Sequence, residues 1–148
     1  MTCPLSSVSA TLVVETSVGV DRTCLAVLAD AYREEEVKGE TRVVMGFAPH
    51  IALVQAAIFP LSGKLAEPSY KIYEDIKRYF ATDFDDVGSI GKRYRMHDEI
   101  GTPYCVTYDF ESGNDHAVTV RNRDTMEQDR IPVDKLKDYL TEKISITR

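Results

Sequence analysis

The chain has 148 residues, 43% hydrophobic and 28% charged, a composition typical of one soluble domain or of one domain and part of another. The formal net charge of −6 argues against nucleic-acid binding through a generally basic surface, but it leaves room for a local basic patch. The sequence has no apolar run of the roughly 18 residues that a membrane span needs, no signal peptide, and no cysteine spacing typical of a zinc or disulfide site. We therefore expect a reduced, cytoplasmic location.

The first predicted elements are a strand and a helix with a glycine between them. Residues 11–16 form a short apolar run with β-branched residues, which predicts a buried strand. The apolar residues Leu25 and Leu28 are spaced as on one face of a helix, and we predict that this helix spans residues 21–36. Residues 37–50 predict an irregular connection that contains a domain boundary.

The rest of the chain predicts an α/β domain. From residue 53 the predicted order is strand, helix, strand, helix, three strands and a helix, at residues 53–61, 67–80, 83–86, 89–100, 104–110, 116–123, 126–133 and 134–144. Strands separated by helices favour parallel pairing, and the turn residues 112–115 favour an antiparallel hairpin. We therefore predict a mixed, mainly five-stranded sheet flanked by helices, with Asp134 as the N-cap of the last helix.

A basic cluster stands at the start of a predicted helix in this acidic chain. Residues 92–95 carry a lysine and two arginines just after a glycine pair, where free backbone N–H groups favour anions. One interpretation is a solvated helix face on which Arg95 pairs with Glu99. The other is a surface that contacts phosphates or bases together with Arg121 and Arg123, with Tyr94 or Tyr104 nearby for stacking. The residues alone leave both interpretations open.

The remaining polar residues predict no metal or nucleophile site. The three histidines, His50, His97 and His116, are scattered, and we expect them at the surface or at an edge rather than as metal ligands. Asp85 and Asp86 indicate a turn. The sequence contains no phosphate-binding glycine-rich motif and no nucleophile elbow.

Two regions resemble a known family, and the resemblance runs from about residue 14 to residue 140. The stretch ETSVGVDRTCLAVLADAYREE resembles the third signature motif of class II aminoacyl-tRNA synthetases in its glycyl form. The stretches DDVGSIGKRYRMHDEIGTPYCVTYDF and VTVRNRDTMEQDRIPVDKL resemble the C-terminal anticodon-binding domain of glycyl-tRNA synthetases. The resemblance implies a strand–helix remnant of the catalytic domain over residues 1–40 and an anticodon-binding domain over residues 41–148.

The resemblance also implies which residues meet substrates. Arg22 would contact ATP, and Glu15 and Ser17 would line the glycine pocket, because a carboxylate suits the substrate ammonium and a hydroxyl fits a small pocket. The implied anticodon contacts are Arg93, Arg95, Glu99, Thr102, Arg121 and Arg123. The carboxylates of Asp98 and Glu99 fit this interpretation, since carboxylates accept hydrogen bonds from the amino group of cytosine.

The sequence departs from that family at its start. Residues 1–12 do not match the segment that normally precedes the third motif, and the first two motifs, which an adenylation site needs, are absent. We hypothesise a C-terminal part of a glycine–tRNA ligase that binds glycine tRNA and is inactive alone. ATP, magnesium and glycine would serve the whole, homodimeric enzyme, and we expect no cofactor bound tightly to this chain.

Two alternatives stay open. One is a stand-alone accessory protein with this fold that binds another RNA or a protein, and the other is a protein-interaction domain that has lost RNA binding. In the whole enzyme the predicted helix would pack on a catalytic sheet. We therefore expect its apolar face, with Leu25 and Leu28, to dock on the domain, to pair with another chain or to be mobile.

Overall fold

The strands form one five-stranded sheet and one separate two-stranded hairpin, within residues 14–37 and 39–145, which the computed structural model describes. The elements, in chain order, are α1 (Val20–Ala31), β1 (Tyr32–Val37), β2 (Glu40–Met45), β3 (Ala56–Pro60), α2 (Ala66–Ile76), β4 (Thr82–Phe84), α3 (Ile90–Ile100), β5 (Tyr104–Tyr108), α4 (Ser112–Asp115), β6 (Ala117–Asn122), β7 (Gln128–Pro132) and α5 (Val133–Ile144). Among the described residues, no helix is long and apolar enough to cross a bilayer.

The five-stranded sheet has the order β4-β3-β5-β6-β7. Strand β3 pairs in parallel with both β4 and β5, whereas β5–β6 and β6–β7 are antiparallel. Every residue of β3 is buried, as expected for a parallel strand covered on both faces. The mixed five-stranded sheet predicted from the sequence is therefore confirmed, with β7 at an edge and Pro132 at its end.

Helices cover the two faces of this sheet unequally. On one face, α2 and α5 pack on the larger core, in which Leu136 and Leu140 of α5 are completely buried against Ile58 of β3 and Val106 of β5. On the other face, α3 covers a smaller cluster around Phe59. Burying a leucine side chain contributes about 1.5–3 kcal/mol, so the α2/α5 face contributes most of the hydrophobic stabilisation.

Both ends of α3 are set by local chemistry. The hydroxyl of Ser89 accepts a hydrogen bond from the Lys92 N–H at 3.4 Å, which caps the first turn. The helix ends at Gly101, whose φ of 88° lies in the left-handed region. A Cβ atom there would lie 2.5 Å from the Phe47 ring and 2.7 Å from the Met45 carbonyl oxygen. Only glycine therefore lets the end of α3 pack so closely on the segment after β2.

The N-terminal prediction is wrong in two respects. Residues 14–19 are irregular rather than the end of a strand, while residues 11–13 lie outside the described residues. A strand needs a hydrogen-bonding neighbour, and none of the described strands lies beside this stretch. The predicted helix over 21–36 ends at Ala31, because residues 32–37 pair with residues 40–45 as the β1–β2 hairpin. This pairing overrides the helix propensity of the glutamate run.

Four smaller predictions are also corrected. The loop predicted over 112–115 is the short helix α4, and the helix predicted over 67–80 ends at Ile76. Pro132, not Asp134, is the N-cap of α5, because the helix begins one residue earlier than predicted. His97 is completely buried instead of lying at the surface, since it faces the sheet from α3. The predicted domain boundary after residue 40 falls at the start of β2 and stays a prediction.

Candidate nucleic-acid interface

A polar groove lies between the β1–β2 hairpin, α3 and the β6–β7 connection, and we call it the hairpin groove. Its volume is about 540 Å³, within the usual range for ligand sites. It is lined by Val37, Glu40, Thr41, Arg42, Gly91, Tyr94, Arg95, Asp98, Arg121 and Met126. Three arginines and a tyrosine in one groove can form charge-assisted hydrogen bonds and stack on planar groups.

Two arginines meet one buried carboxylate at the bottom of the hairpin groove. Arg121 donates from Nη1 to Oδ1 of Asp98 at 2.9 Å and from Nη2 to Oδ2 at 3.1 Å, a bidentate pair. The Nε of Arg42 donates to the same Oδ2 at 3.0 Å. Asp98 is 2% exposed, and both arginines are 8% exposed. Burial by itself lowers the pKa of Arg121, but the hydrogen bonds and charge of Asp98 outweigh it and the pKa is raised, so Arg121 stays charged.

Tyr94 forms the side of the hairpin groove next to this pair. The guanidinium of Arg121 lies 4.8 Å from the centre of the Tyr94 ring, and the Tyr94 and Phe59 rings are nearly perpendicular, with their centroids 5.5 Å apart. The Tyr94 hydroxyl and the Thr107 hydroxyl share a hydrogen bond of 2.6 Å. Burial raises the pKa of Tyr94, so its hydroxyl stays protonated at neutral pH. The other tyrosine considered for stacking, Tyr104, is buried in the α2/α5 core.

An exposed ion pair crosses the edge of the hairpin groove. Arg95 of α3 donates to Glu40 of β2, and both side chains are more than half exposed. The predicted Arg95–Glu99 pair is therefore wrong, because Glu40 from the hairpin lies within reach of Arg95. Exposed pairs of this kind contribute about 0–1 kcal/mol, so Arg95 can exchange Glu40 for another anion at little cost.

Arg93 is buried at the start of α3, away from the hairpin groove. Its Nη1 donates to the carbonyl oxygens of Pro60 and Asp85, both at 2.9 Å, and its Nη2 donates to the Gly88 carbonyl at 3.4 Å. The side chain is 4% exposed. Arg93 thus satisfies backbone carbonyls at the end of β3 and in the segment that leads into α3.

Arg123, which directly follows β6, is also a buried arginine that donates to backbone carbonyls. It donates from Nη1 to the Gly101 carbonyl at 2.8 Å and from Nη2 to the Phe47 carbonyl at 2.9 Å, and it forks onto Asp124. Only 2% of the residue is exposed. It therefore joins the end of α3 to the segment after the hairpin. The direct RNA contacts predicted for Arg93 and Arg123 remain predictions.

Thr102 and His97 form a buried polar pair behind α3. The Thr102 hydroxyl lies 3.0 Å from Nδ1 of His97, and neither residue is exposed. The Nε2 of His97 has no hydrogen-bond partner among the described residues and lies 3.9 Å from a carboxylate oxygen of Asp83. Burial lowers the pKa of His97, and the charges of Asp83, Asp85 and Asp98 offset this effect only in part. The pKa therefore stays below its usual value, and the ring is neutral at pH 7. Thr102 thus orients His97, and its predicted RNA contact stays untested.

The structure thus groups only part of the predicted anticodon set. Arg95 and Arg121 line the hairpin groove, and Glu99 is exposed on α3. The Asp98 carboxylate, which we expected to be open to a base, is occupied by the two buried arginines. The described residues contain no cluster of three or more His, Cys, Asp or Glu side chains suited to a metal ion.

The residues predicted to meet ATP and glycine do not line this groove. Glu15 and Ser17 stand in the irregular stretch before α1, and Arg22 is in its first turn. All three side chains are exposed. A site for ATP needs enclosing walls and further charge, so these residues cannot form one by themselves. Their roles stay predictions.

Comparison with known proteins connects the fold to a family. The model of the family described as "Anticodon binding domain" matches residues 55–143, from the start of β3 almost to the end of α5. The chain belongs to this family. The match includes α3 and β6 but not the β1–β2 hairpin, so the hairpin groove lies between the family domain and a segment outside the match.

Curated relatives sharpen this result. The chain is 63% identical over 131 residues to the glycine–tRNA ligase of Caldanaerobacter subterraneus subsp. tengcongensis. The matched region covers 88% of this chain and 28% of that protein. It is 56% identical over 133 residues to the enzyme of Geobacillus kaustophilus (89% and 29%) and 53% identical over 131 residues to that of Bacillus anthracis (88% and 29%). The predicted resemblance is confirmed, and the chain spans less than a third of these relatives.

A solved structure supports the fold independently. The RNA-binding domain of threonyl-tRNA synthetase from Cryptosporidium parvum superposes with a TM-score of 0.61 over 66% of this chain and 25% of that one, at 22% sequence identity. At this identity the likeness concerns the fold. It confirms the α/β fold predicted from the sequence.

The hairpin residues of the groove were not predicted. Glu40 and Arg42 lie in the stretch 37–50, which the sequence analysis treated as an irregular connection. A signal was present, because Gly39, with φ of 82°, separates two stretches that contain β-branched residues. A turn glycine between such stretches favours a hairpin, and the Arg42 side chain then faces α3 of the anticodon-binding domain.

Proposed function

We propose that this chain binds the anticodon end of a glycine tRNA and that the hairpin groove takes part in the contact. The observation that carries the proposal is the combination of two matches. Residues 55–143 belong to the anticodon-binding family, and 88% of the chain is 53–63% identical to part of glycine–tRNA ligases. The charges and the tyrosine that line the groove support the same conclusion.

The exposed cation of the groove suits a phosphate of the anticodon loop. Among the described residues, Arg95 is held by Glu40 alone, at the exposed edge of the groove, so an RNA phosphate can replace that carboxylate. Behind it, Arg121 and Tyr94 form a planar cationic and aromatic surface suited to an unstacked base. Glu99, exposed on the same helix, is available to accept hydrogen bonds from a base amino group.

The buried members of the predicted set would act by supporting this surface. Arg93 holds the start of α3 through backbone carbonyls, and Arg123 holds its end. Thr102 orients His97 beneath the same helix. In this proposal the three side chains fix α3, which carries the groups that face RNA.

The segment over residues 1–40 would belong to the catalytic half of a larger ligase, with the boundary near residue 40. The exposed apolar side chains of α1, among them Leu25 and Leu28, suit a surface that packs on that half. Arg22 would meet ATP there, with its magnesium, and Glu15 and Ser17 would meet glycine. These ligands, the homodimer and a cytoplasmic location are proposals for the whole protein.

A tRNA titration tests the anticodon proposal. We expect the 148-residue chain to bind a glycine tRNA transcript, to bind an anticodon-substituted transcript more weakly, and to lose affinity steeply with salt. Arg95→Ala should weaken binding and reduce the slope of log K against log[salt] by about 0.7–0.9. The matched control is Arg78→Ala, which removes an exposed arginine that follows α2 on the other face of the sheet.

Three results would contradict this proposal. Equal affinity for both transcripts would show binding without anticodon recognition, as in a stand-alone module that binds other RNA. Equal losses from Arg95→Ala and Arg78→Ala would remove the hairpin groove from the contact. The absence of any tRNA binding would favour a protein-interaction domain.

An exchange assay tests the proposal that this chain does not contain a complete adenylation site. We expect no glycine-dependent ATP–pyrophosphate exchange from the 148-residue chain alone, because its substrate residues are exposed and unenclosed. Robust exchange would show that the chain contains a complete adenylation site.

A further inference from the structure

The β1–β2 hairpin forms a large part of the hairpin groove although it lies outside the matched family domain. The family match begins at residue 55, and the hairpin ends at Met45. Four of the lining residues nevertheless come from the hairpin, namely Val37, Glu40, Thr41 and Arg42. The groove therefore exists only while the hairpin is held against α3.

One buried side chain makes the main polar contact between the two parts. Arg42 donates from Nε to Asp98 at 3.0 Å and from Nη2 to the Arg123 carbonyl at 2.8 Å. Its remaining terminal nitrogen, Nη1, donates to Glu35 of the same hairpin at 2.8 Å. With 8% exposure and a partner for each of its three nitrogens, Arg42 is held in one geometry.

The contact with Asp98 links Arg42 to the surface of the groove. Oδ2 of Asp98 accepts from Arg42 and from Arg121, so each guanidinium constrains the carboxylate that the other one uses. Arg121 in turn lies over the ring of Tyr94. The buried Asp98 and the partly exposed Glu35 balance the charges of Arg42 and Arg121, so the cluster of four side chains is electrically neutral.

We propose that Arg42 is a positioning residue for anticodon binding: through Asp98 it orients Arg121, and through the hairpin it holds one side of the groove against α3. The inference rests on the proposed function, because it concerns the same groove. Arg42 does not touch RNA in this proposal. Each of its three guanidinium nitrogens already donates to a group of the protein, whereas the guanidinium of Arg121 also lies over the Tyr94 ring that lines the groove.

The absence of a phosphate contact gives the proposal a specific signature. Arg42→Met should weaken binding of the glycine tRNA transcript about tenfold, the size expected for coupled neighbours. The slope of log K against log[salt] should stay at the wild-type value, whereas Arg95→Ala should reduce it. A slope reduced by about 0.7–0.9 in Arg42→Met would identify a direct phosphate contact and overturn the positioning role.

A double-mutant cycle tests the route through Arg121. If Arg42 acts through Arg121, Arg42→Met should have little further effect on affinity once Arg121→Met is present. Full additivity of the two losses would contradict the proposed route. Arg42→Lys keeps the charge but cannot reach three partners, so it should lose affinity like Arg42→Met. It takes the place of Arg42→Met in the cycle if that variant does not fold.

Val44→Ala separates positioning from a general loss of stability. Val44 is 1% exposed and lies two residues from Arg42 on the same face of β2, but it does not line the groove. We expect Val44→Ala to lower Tm while leaving tRNA affinity unchanged well below Tm. Equal affinity losses in Val44→Ala and Arg42→Met would overturn the inference.

Failure of this inference and failure of the proposed function give different results. If the wild-type chain binds no glycine tRNA, the proposed function fails. If the wild-type chain binds and Arg42→Met binds equally well, only the positioning role fails.

Discussion

Helices α1 and α5 have the same length and a similar sequence pattern, yet the fold uses them differently. Each has 12 residues and a leucine pair at helical spacing. In α5, Leu136 and Leu140 are completely buried on the sheet, whereas Leu25 and Leu28 of α1 are 67% and 49% exposed. Ala31 is the one buried residue of α1. Helical spacing thus indicates an apolar face, but a neighbouring surface decides whether that face is buried.

The same contrast holds for arginine. Arg22 of α1 is exposed, whereas Arg93 and Arg123 are buried and donate to backbone carbonyls. In the anticodon-binding domain, arginine is therefore a structural residue as well as a candidate RNA contact. Substituting the same residue type in both regions should separate these roles.

The largest expected difference is between the two leucine positions. Leu136→Ala should lower the free energy of unfolding by about 3 kcal/mol, because it opens a cavity in the core. Leu25→Ala should change it by no more than about 0.5 kcal/mol, since the side chain is exposed. Urea denaturation of the two variants measures both values. Similar losses would mean that α1 packs on the domain.

The second-largest difference in the free energy of unfolding is expected between substitutions of Arg123 and Arg22. Arg123→Met should cost about 2–3 kcal/mol, because the carbonyl oxygens of Gly101 and Phe47 lose their donor in a buried site. Arg22→Met should be nearly neutral in the same urea denaturation. If Arg123→Met were equally neutral, water would have to replace the guanidinium, and the structural role would be excluded.

The exposure of the Arg130 side chain lies between that of exposed Arg22 and that of buried Arg123. The pH dependence of stability tests its contribution. Its hydrogen bonds hold the pKa of Asp109 at about 2, assisted by Ser112. Because the folded state binds this proton less readily than the unfolded chain, stabilisation is present above about pH 4 and is lost as the pH falls towards 2. Arg130→Met should cost about 1–2 kcal/mol at pH 7.

The control for this prediction is the same substitution in an Asp109→Asn background. There the effect of Arg130→Met should be smaller and should lose the dependence on Asp109 protonation. Thermal or urea unfolding at pH 7 and pH 3 gives the comparison. A cost that does not shrink at low pH would show that Asp109 is not the partner that matters.

The smallest change in the free energy of unfolding is expected from the titration of His97, which is fully buried and neutral at pH 7. Burial lowers its pKa below the unfolded value of 6.5, so the unfolded chain takes up this proton first. Stability from His97 is therefore complete above about pH 6.5 and is lost as the pH falls through the lowered pKa. The free energy of unfolding should fall more between pH 7 and pH 5 in the wild type than in His97→Gln. Parallel pH curves would contradict this prediction.

Local patterns were sufficient for most of the anticodon-binding domain. The apolar run of β3 and the amphipathic pattern of α2 are short-range features, and each predicted the correct type of element. The β1–β2 hairpin was not predicted, because the glutamates of β1 favour a helix locally and pair as a strand only with β2.

The candidate site depended on contacts between distant parts of the chain. Arg42 and Asp98 are 56 residues apart, and Arg121 is 23 residues from Asp98. Sequence analysis selected Arg95 and Arg121 from their basic surroundings. It could not separate them from Arg93 and Arg123, because all four share a residue type and a basic neighbourhood.

The sequence by itself determined the family, the α/β class and the region in which RNA contacts are expected, since these follow from motifs and short-range periodicity. Only the tertiary structure decided which arginines line the hairpin groove and which hold backbone carbonyls away from it, that Arg95 pairs with Glu40, and that α1 keeps its apolar face exposed. The physical reason is that the role of a charged or apolar side chain depends on the groups within a few ångströms of it, and folding brings those groups from distant positions.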